Sequence, residues 1–307
     1  MEQAVKLSSA GAHQPGGGHE RRLFYDKCGR YLFVASACLM TLIIFSIIFF
    51  VGRQGLLTLT AVSPLEFFLN AEWNPTAQKF GALSFIVGSV ETTMLSVLIG
   101  APLGLLGAVF LAKLAPVPLR RIMRPAVDLY VAIPSVVYGY IGLTVFVPFL
   151  RDTFSVSTGF GVLAASLVLA IMIMPTILSI STDALNAVPH PLEEASLALG
   201  ATWWQTMYYV VMPAAIPGIM TSVVLAMARA VGETMAVQML IGNTPQLAAG
   251  LFVPTATLTS NIVVEMGNTP FGSVWGNALF LMAFVLLIIS LGMILLIRYF
   301  TGKRSIA

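Results

Sequence analysis

Six apolar runs, each long enough to cross a lipid bilayer as a helix, dominate this chain of 307 residues. They fall at about 31–51, 82–111, 126–150, 162–180, 214–241 and 277–297. A helix rises about 1.5 Å per residue, so about 20 apolar residues cross the roughly 30 Å hydrocarbon core. Only 9% of the residues are charged, against about 25% in soluble domains. A surface that poor in charge is not solvated by water, and the mean hydropathy of +0.91 agrees. The chain reads as an all-α integral membrane protein with six transmembrane helices.

Between the runs the chain is polar. Residues 1–29, with Gly16-Gly17-Gly18 near the centre, read as a mobile cytoplasmic tail. Residues 30–52 are the first span, a retained signal anchor rather than a cleaved leader. Residues 53–80 form an outer, periplasmic loop with turn signals at Ser63-Pro64 and Asn74-Pro75, 81–298 hold the other five helices, and 299–307 are the C-terminus. Orientation follows from Lys and Arg in the short loops. One side collects Lys6, Arg21, Arg22, Lys27, Arg30, Lys113, Arg120, Arg121, Arg124, Arg298, Lys303 and Arg304; the other holds only Arg53, Lys79 and Arg151. Both termini are therefore expected in the cytoplasm. Glycines and prolines punctuate the spans, and Gly100 with Gly104 makes a small-xxx-small pair, read either as close helix packing or as a hinge.

Several classes find little support. Cys28 and Cys38 have no disulfide or metal spacing, and His13, His19 and His190 are scattered in polar segments. No zinc-protease or nucleophile-elbow motif suggests a membrane enzyme, and no phosphate-binding GxxxxGK[ST] loop is present, so ATP must be hydrolysed elsewhere if it is used. A secondary transporter usually carries two similar halves, and 30–150 does not resemble 160–298.

The most informative segment, 182–212, lies between the fourth and fifth spans. In HPLEEASLALGATWWQTMYYVVMP (190–213), Pro191 suits the first helical position and Glu193 and Glu194 suit the first turn. Gly200 is placed to end that helix in a left-handed conformation. Thr202 with Gln205 forms a capping box that starts a second helix. A helix pair with acidic and apolar residues, two tryptophans and no Lys or Arg is either a docking element or an interfacial element lying in the headgroups.

These residues carry a resemblance. Glu194-Ala195-Ser196, Gly200 and Val210-x-Met212-Pro213 are spaced like the EAA motif of ABC importer permeases, with Ser for the second Ala, Val for Ile and Met for Leu. The resemblance implies a type I ABC importer permease bundle in which Glu193, Glu194, Ala195, Ser196 and Gly200 belong to a cytoplasmic coupling helix docked on a separate ATPase.

In the fifth run, Arg229 sits in MARAVGETMAV with Glu233 one turn on. An arginine at the bilayer centre costs about 2.5–3.5 kcal/mol on insertion scales. It is read either as a self-neutralising pair with Glu233 or as a cationic point on an anion pathway, where guanidinium fits a tetrahedral oxyanion. Ser135 and Tyr138 in IPSVVYG either offer hydroxyls to a passing anion or satisfy the backbone freed by Pro134. Asp128 is expected in a surface ion pair near Arg121 and Arg124; Glu91 is left open between an outer vestibule and a partner helix.

ARAVGETMAVQMLIGN, EWNP, AIPSVVYG, IMIMPTI and LFVPTATLTSNIVVEMG resemble phosphate-importer permeases of the PstC type, over nearly the whole chain from about residue 25. The resemblance implies that Arg229 and Glu233 belong to a phosphate pathway. It further implies a heterodimer with a PstA-like permease, two copies of a PstB-like ATPase and an external PstS-like phosphate-binding protein. No cofactor is then expected on this chain, with ATP and Mg on the ATPase. The runner-up is a permease for another oxyanion, sulfate or molybdate.

Overall fold

A computed structural model describes residues 18–302 apart from 271, and side chains over 27–299 apart from 271 and 296. The tail expectation for 1–17, and the side chains of Lys6, Arg21, Arg22, Lys303 and Arg304, lie outside the described residues. The chain divides into two units at Val51–Gly52.

The first unit is the helix α1 (Gly18–Leu56) as far as Val51. The polar tail was expected to reach residue 29; residues 18–29 are helical and continuous with the span, because nothing between them and the apolar run breaks the helix. Its apolar side chains, Tyr31, Phe33 and Phe45 among them, are exposed, as a lipid-facing span requires.

The second unit opens with the outer loop. Ser63 caps α2 (Pro64–Leu69) by accepting from the Glu66 N–H. A hairpin follows, β1 (Trp73–Asn74) antiparallel to β2 (Lys79–Phe80), with Trp73 opposite Phe80. Asn74 caps the 3₁₀ turn Pro75–Ala77 between the strands. Trp73 is buried against Phe80 and Phe85. Its indole N–H donates to Glu265 Oε1 (2.8 Å), and the Trp275 indole donates to Glu265 Oε2 (2.7 Å). One carboxylate therefore ties the hairpin to both flanks of a later loop.

The second span is α3 (Leu83–Val109), which widens into a π turn at Phe110–Leu114. The third run is not one straight helix. It is α4 (Val117–Val131), α5 (Ser135–Ile141), a π turn at Gly142–Phe146 and α6 (Val147–Phe154), and the halves on either side of Ala132–Pro134 meet at 91°. Pro134 has no N–H for the carbonyl of Tyr130, so the helix ends there. The fourth span, α7 (Val162–Asn186), is the most buried of the spans. After it come α8 (His190–Ala198), α9 (Trp203–Thr206), a π turn at Met207–Val211 and α10 (Met212–Gly232). The fifth run breaks as well: α10 stops at Gly232 and α11 (Met235–Leu240) starts anew. The last elements are α12 (Leu258–Met266) and α13 (Val274–Gly302). Among the described residues five helices are long and apolar enough to cross a membrane, or six if the bent pair is one span.

Helix α7 is the axis around which α3, α5, α10 and α11 pack. Gly104 allows a close approach of α3 to α7: a Cβ there would lie 2.9 Å from Ile177 and 3.0 Å from the Met174 carbonyl oxygen. The small-xxx-small pair is therefore a packing seam.

Candidate functional site

Two places concentrate the polar chemistry. The first is the α8–α9 turn. Pro191 lies in the first turn of α8 and Glu193 at its N-terminal end. Gly200 follows with φ +85°, and the Thr202–Gln205 capping box is formed on both sides. The helix, turn, helix reading is what the structure contains. Its two faces differ. Glu193 and Ser196, three apart, turn inward. Glu193 forms an ion pair with Lys113, and Ser196 Oγ lies 2.9 Å from Thr206 Oγ1. The serine that replaces the motif's second alanine is thus a hydrogen-bonding group. Glu194, Ala195, Leu197 and Leu199 are exposed, Leu199 at 89%. A Cβ on Gly200 would meet nothing within 4 Å, so its positive φ alone accounts for glycine there. The five residues grouped by the sequence therefore split: Glu193 and Ser196 hold the helix to the bundle, while Glu194, Ala195 and Gly200 face outward.

The second place is the break between α10 and α11. Arg229 lies in the last turn of α10, half-buried, and not at the middle of an unbroken helix. Glu233 does not pair with it. The chain leaves the helix at Glu233, which has φ −69° and ψ 126°. Its Oε1 instead accepts from the Ala236 N–H at the start of α11 (3.3 Å). Among the described residues no hydrogen bond or ion pair reaches Arg229. Its guanidinium lies within electrostatic range of the Tyr138 hydroxyl. That hydroxyl donates to the Tyr130 carbonyl oxygen (2.7 Å), the acceptor that Pro134 cannot serve. Ser135, half-buried, opens α5. Gly139 brings α5 against α11, where a Cβ would lie 3.0 Å from Ala236 Cα.

Sequence reasoning missed a ring of hydroxyls at this break. Ser89, Thr92, Thr93, Thr257 and Thr259 line a small cavity together with Glu233. Thr259 Oγ1 donates to the Glu233 carbonyl oxygen (3.2 Å), Ser89 Oγ accepts from the Leu258 N–H (2.9 Å), and buried Thr92 Oγ1 has no partner. The signal was the run of Ser and Thr in ATLTSN, but no spacing rule assigns it to the break.

Two acids find their places. Arg124 pairs with Asp183 (2.6 Å) and not with Asp128, which is exposed. Asp183 lies in the last turn of α7, across from α4. Glu91 is exposed on the wall of a cavity of about 470 Å³, otherwise lined by apolar residues such as Leu95, Leu98 and Leu251.

Comparison with known proteins places this architecture. Residues 100–305 match the family described as binding-protein-dependent transport system inner membrane component. The chain is 49% identical over 282 residues to the probable ABC transporter permease protein YqgH of Bacillus subtilis, covering 91% of each chain. It is 38% identical over 253 residues to the phosphate transport system permease protein PstC of Mesorhizobium japonicum, covering 76% of this chain and 77% of that one. Among solved structures, a bacterial ABC transporter involved in the import of the acidic polysaccharide alginate superposes with a TM-score of 0.58 at 16% identity, covering 92% of this chain and 99% of that one. An inward-facing MetNI methionine ABC transporter superposes at 0.50 and 23%, covering 74% and 94%. With the fold, the α8–α9 turn and these relatives in agreement, the chain belongs to the binding-protein-dependent transport system inner membrane components, as an ABC permease of the PstC type.

Proposed function

We infer that this chain is the permease subunit of an ATP-driven phosphate importer and forms half of the pathway across the cytoplasmic membrane. The observation that carries the substrate is Arg229, a half-buried guanidinium with no carboxylate partner among the described residues, in a chain similar to PstC proteins. An intramembrane cation left without an internal counterion is costly, and an anion in transit supplies what it lacks. Glu233 shapes the break beside it. Ser135, half-buried at the start of α5, is a further candidate hydroxyl for the pathway, whereas Tyr138 has already committed its proton to the backbone.

The partners follow from the same reading: a PstA-like permease as the other half, two PstB-like ATPase subunits that hold ATP and Mg, and a PstS-like phosphate-binding protein outside. This chain carries no cofactor of its own. Both termini lie in the cytoplasm, in line with the Lys and Arg distribution. In the cycle, closure of the ATPases on ATP displaces α8, and the bundle opens outward to the loaded binding protein. Phosphate passes Arg229, and hydrolysis returns the inward-open state.

The test is uptake of labelled phosphate by cells lacking this chain and any second phosphate importer, with and without its return, and with sulfate as control. Phosphate uptake alone should return. Arg229→Gln should not restore phosphate uptake, while the variant still copurifies with its sister permease. Normal phosphate uptake by Arg229→Gln overturns the pathway role.

A further inference from the structure

Lys113 sits in the π turn that ends the second span, and its ammonium pairs with Glu193 of α8. The side chains are only 11% and 20% exposed, far less than the Arg124–Asp183 pair at 55% and 56%. An ion pair withdrawn from solvent is weakly screened and fixes geometry, whereas an exposed pair contributes little. The same π turn takes a second side chain: Arg120 of α4 donates through Nη2 to the Ala112 carbonyl oxygen (2.9 Å). On its other flank, α8 is tied through Ser196 to Thr206, which immediately precedes the π turn leading into α10. The inward face of α8 therefore has two side-chain ties, and each ends at a widened helical turn. Such turns hold weaker backbone hydrogen bonding and often mark places where helices deform. Behind the first tie, α3 is locked to α7 along its glycine seam, with a Gly107 Cβ position 2.8 Å from Leu178.

We propose that Lys113 is a positioning residue for energy coupling: through Glu193 it transmits displacement of α8 to the second span, and with it to the α3–α7 pair. The proposal rests on the importer reading above and gives Glu193 a task distinct from docking. Covalent continuity through α9 moves α10, and the Lys113 tie makes α3 move with it. Without the tie, α8 moves with the ATPase while α3 lags.

The experiment uses the complete transporter in proteoliposomes with its ATPase and loaded binding protein, and reads phosphate moved per ATP hydrolysed. Lys113→Glu and Glu193→Lys should each lower that ratio about tenfold or more, within the usual range of coupling between sites, and the reversed pair together should recover most of it. The neutral pair Lys113→Met with Glu193→Gln, which leaves no unpaired charge to disturb folding, should assemble and hydrolyse ATP with the ratio still low. A wild-type ratio in the neutral pair overturns the proposal. So does a reversed pair that assembles yet transports no better than the single variants. If the wild-type transporter moves no phosphate but moves another anion, the substrate reading fails, and the same ratio measured with that anion still decides the role of Lys113.

Discussion

The Tyr138 hydroxyl and the Tyr130 carbonyl oxygen, 2.7 Å apart, close a gap that proline chemistry opens. Residue 134 of an unbroken helix would donate its N–H to the carbonyl of residue 130; Pro134 has none, and in hydrocarbon each unsatisfied group is expensive. Tyr138 is buried and supplies the missing donor. Replacing it with Phe leaves that carbonyl only the longer bond from the Ile133 N–H (3.3 Å), so Tyr138→Phe should destabilise the chain by about 0.5–1.5 kcal/mol. The expected result is a lower melting temperature in detergent with an unchanged KM for phosphate. A raised KM at unchanged melting temperature would instead give the hydroxyl to the substrate. The two readings of Tyr138 were both visible in the sequence, since Pro134 precedes it, and only the distance decides between them. Glu233 was less legible. Its pairing with Arg229 at i+4 assumed an unbroken helix, and no proline marks the break after Gly232.

At the scale of elements, the ends of helices were easier to read than their interruptions. Ser63, Asn74, Thr202 and Gly200 each perform the local task their chemistry predicts, because a cap needs only neighbours within a few residues. Pro134 marks the bend at Ala132–Pro134 locally, but the break at Glu233, whose carbonyl accepts from Thr259, and the tie of Trp73 and Trp275 to Glu265 depend on residues far apart in sequence. Periodicity carries no information about those pairings. The glycine seam lies between these cases: Gly100 and Gly104 announced close packing but not the partner, which is α7. A valine at 104 places its Cβ 2.9 Å from Ile177 and then adds two methyls. Overpacking of that kind costs typically about 1–3 kcal/mol. Gly104→Val should therefore reduce the yield of folded protein and lower its melting temperature, whereas Gly292→Ala in α13, where a Cβ would meet nothing within 4 Å, should change the yield far less. Equal losses at both positions would contradict the seam.

For the molecule as a whole, the distribution of charge follows the division of labour. Lys113 pairs with Glu193 of α8, Arg124 with Asp183 of α7, and Arg120 donates to the Ala112 carbonyl oxygen, so the charged groups between α4, α7 and the end of the second span are tied internally. Elsewhere large apolar side chains face outward, which suits lipid and a sister permease. Against that background, Glu194 is an exposed carboxylate that bonds to nothing else among the described residues, flanked by the exposed Leu192 and Leu197. Reversing its charge removes no contact within the chain. Its only internal penalty is the helix dipole, about 0.3–1 kcal/mol. Glu194→Lys should thus insert in the membrane and assemble with the sister permease at wild-type levels. If α8 is the face that receives the ATPase, the same change breaks an interfacial charge contact worth about 2–5 kcal/mol when buried, a loss of more than about tenfold in affinity. Copurification of the ATPase should fall accordingly, and phosphate uptake with it. An ATPase that copurifies undiminished with Glu194→Lys would move the docking face off Glu194, and α8 would then be held only from within, through Lys113 and Thr206.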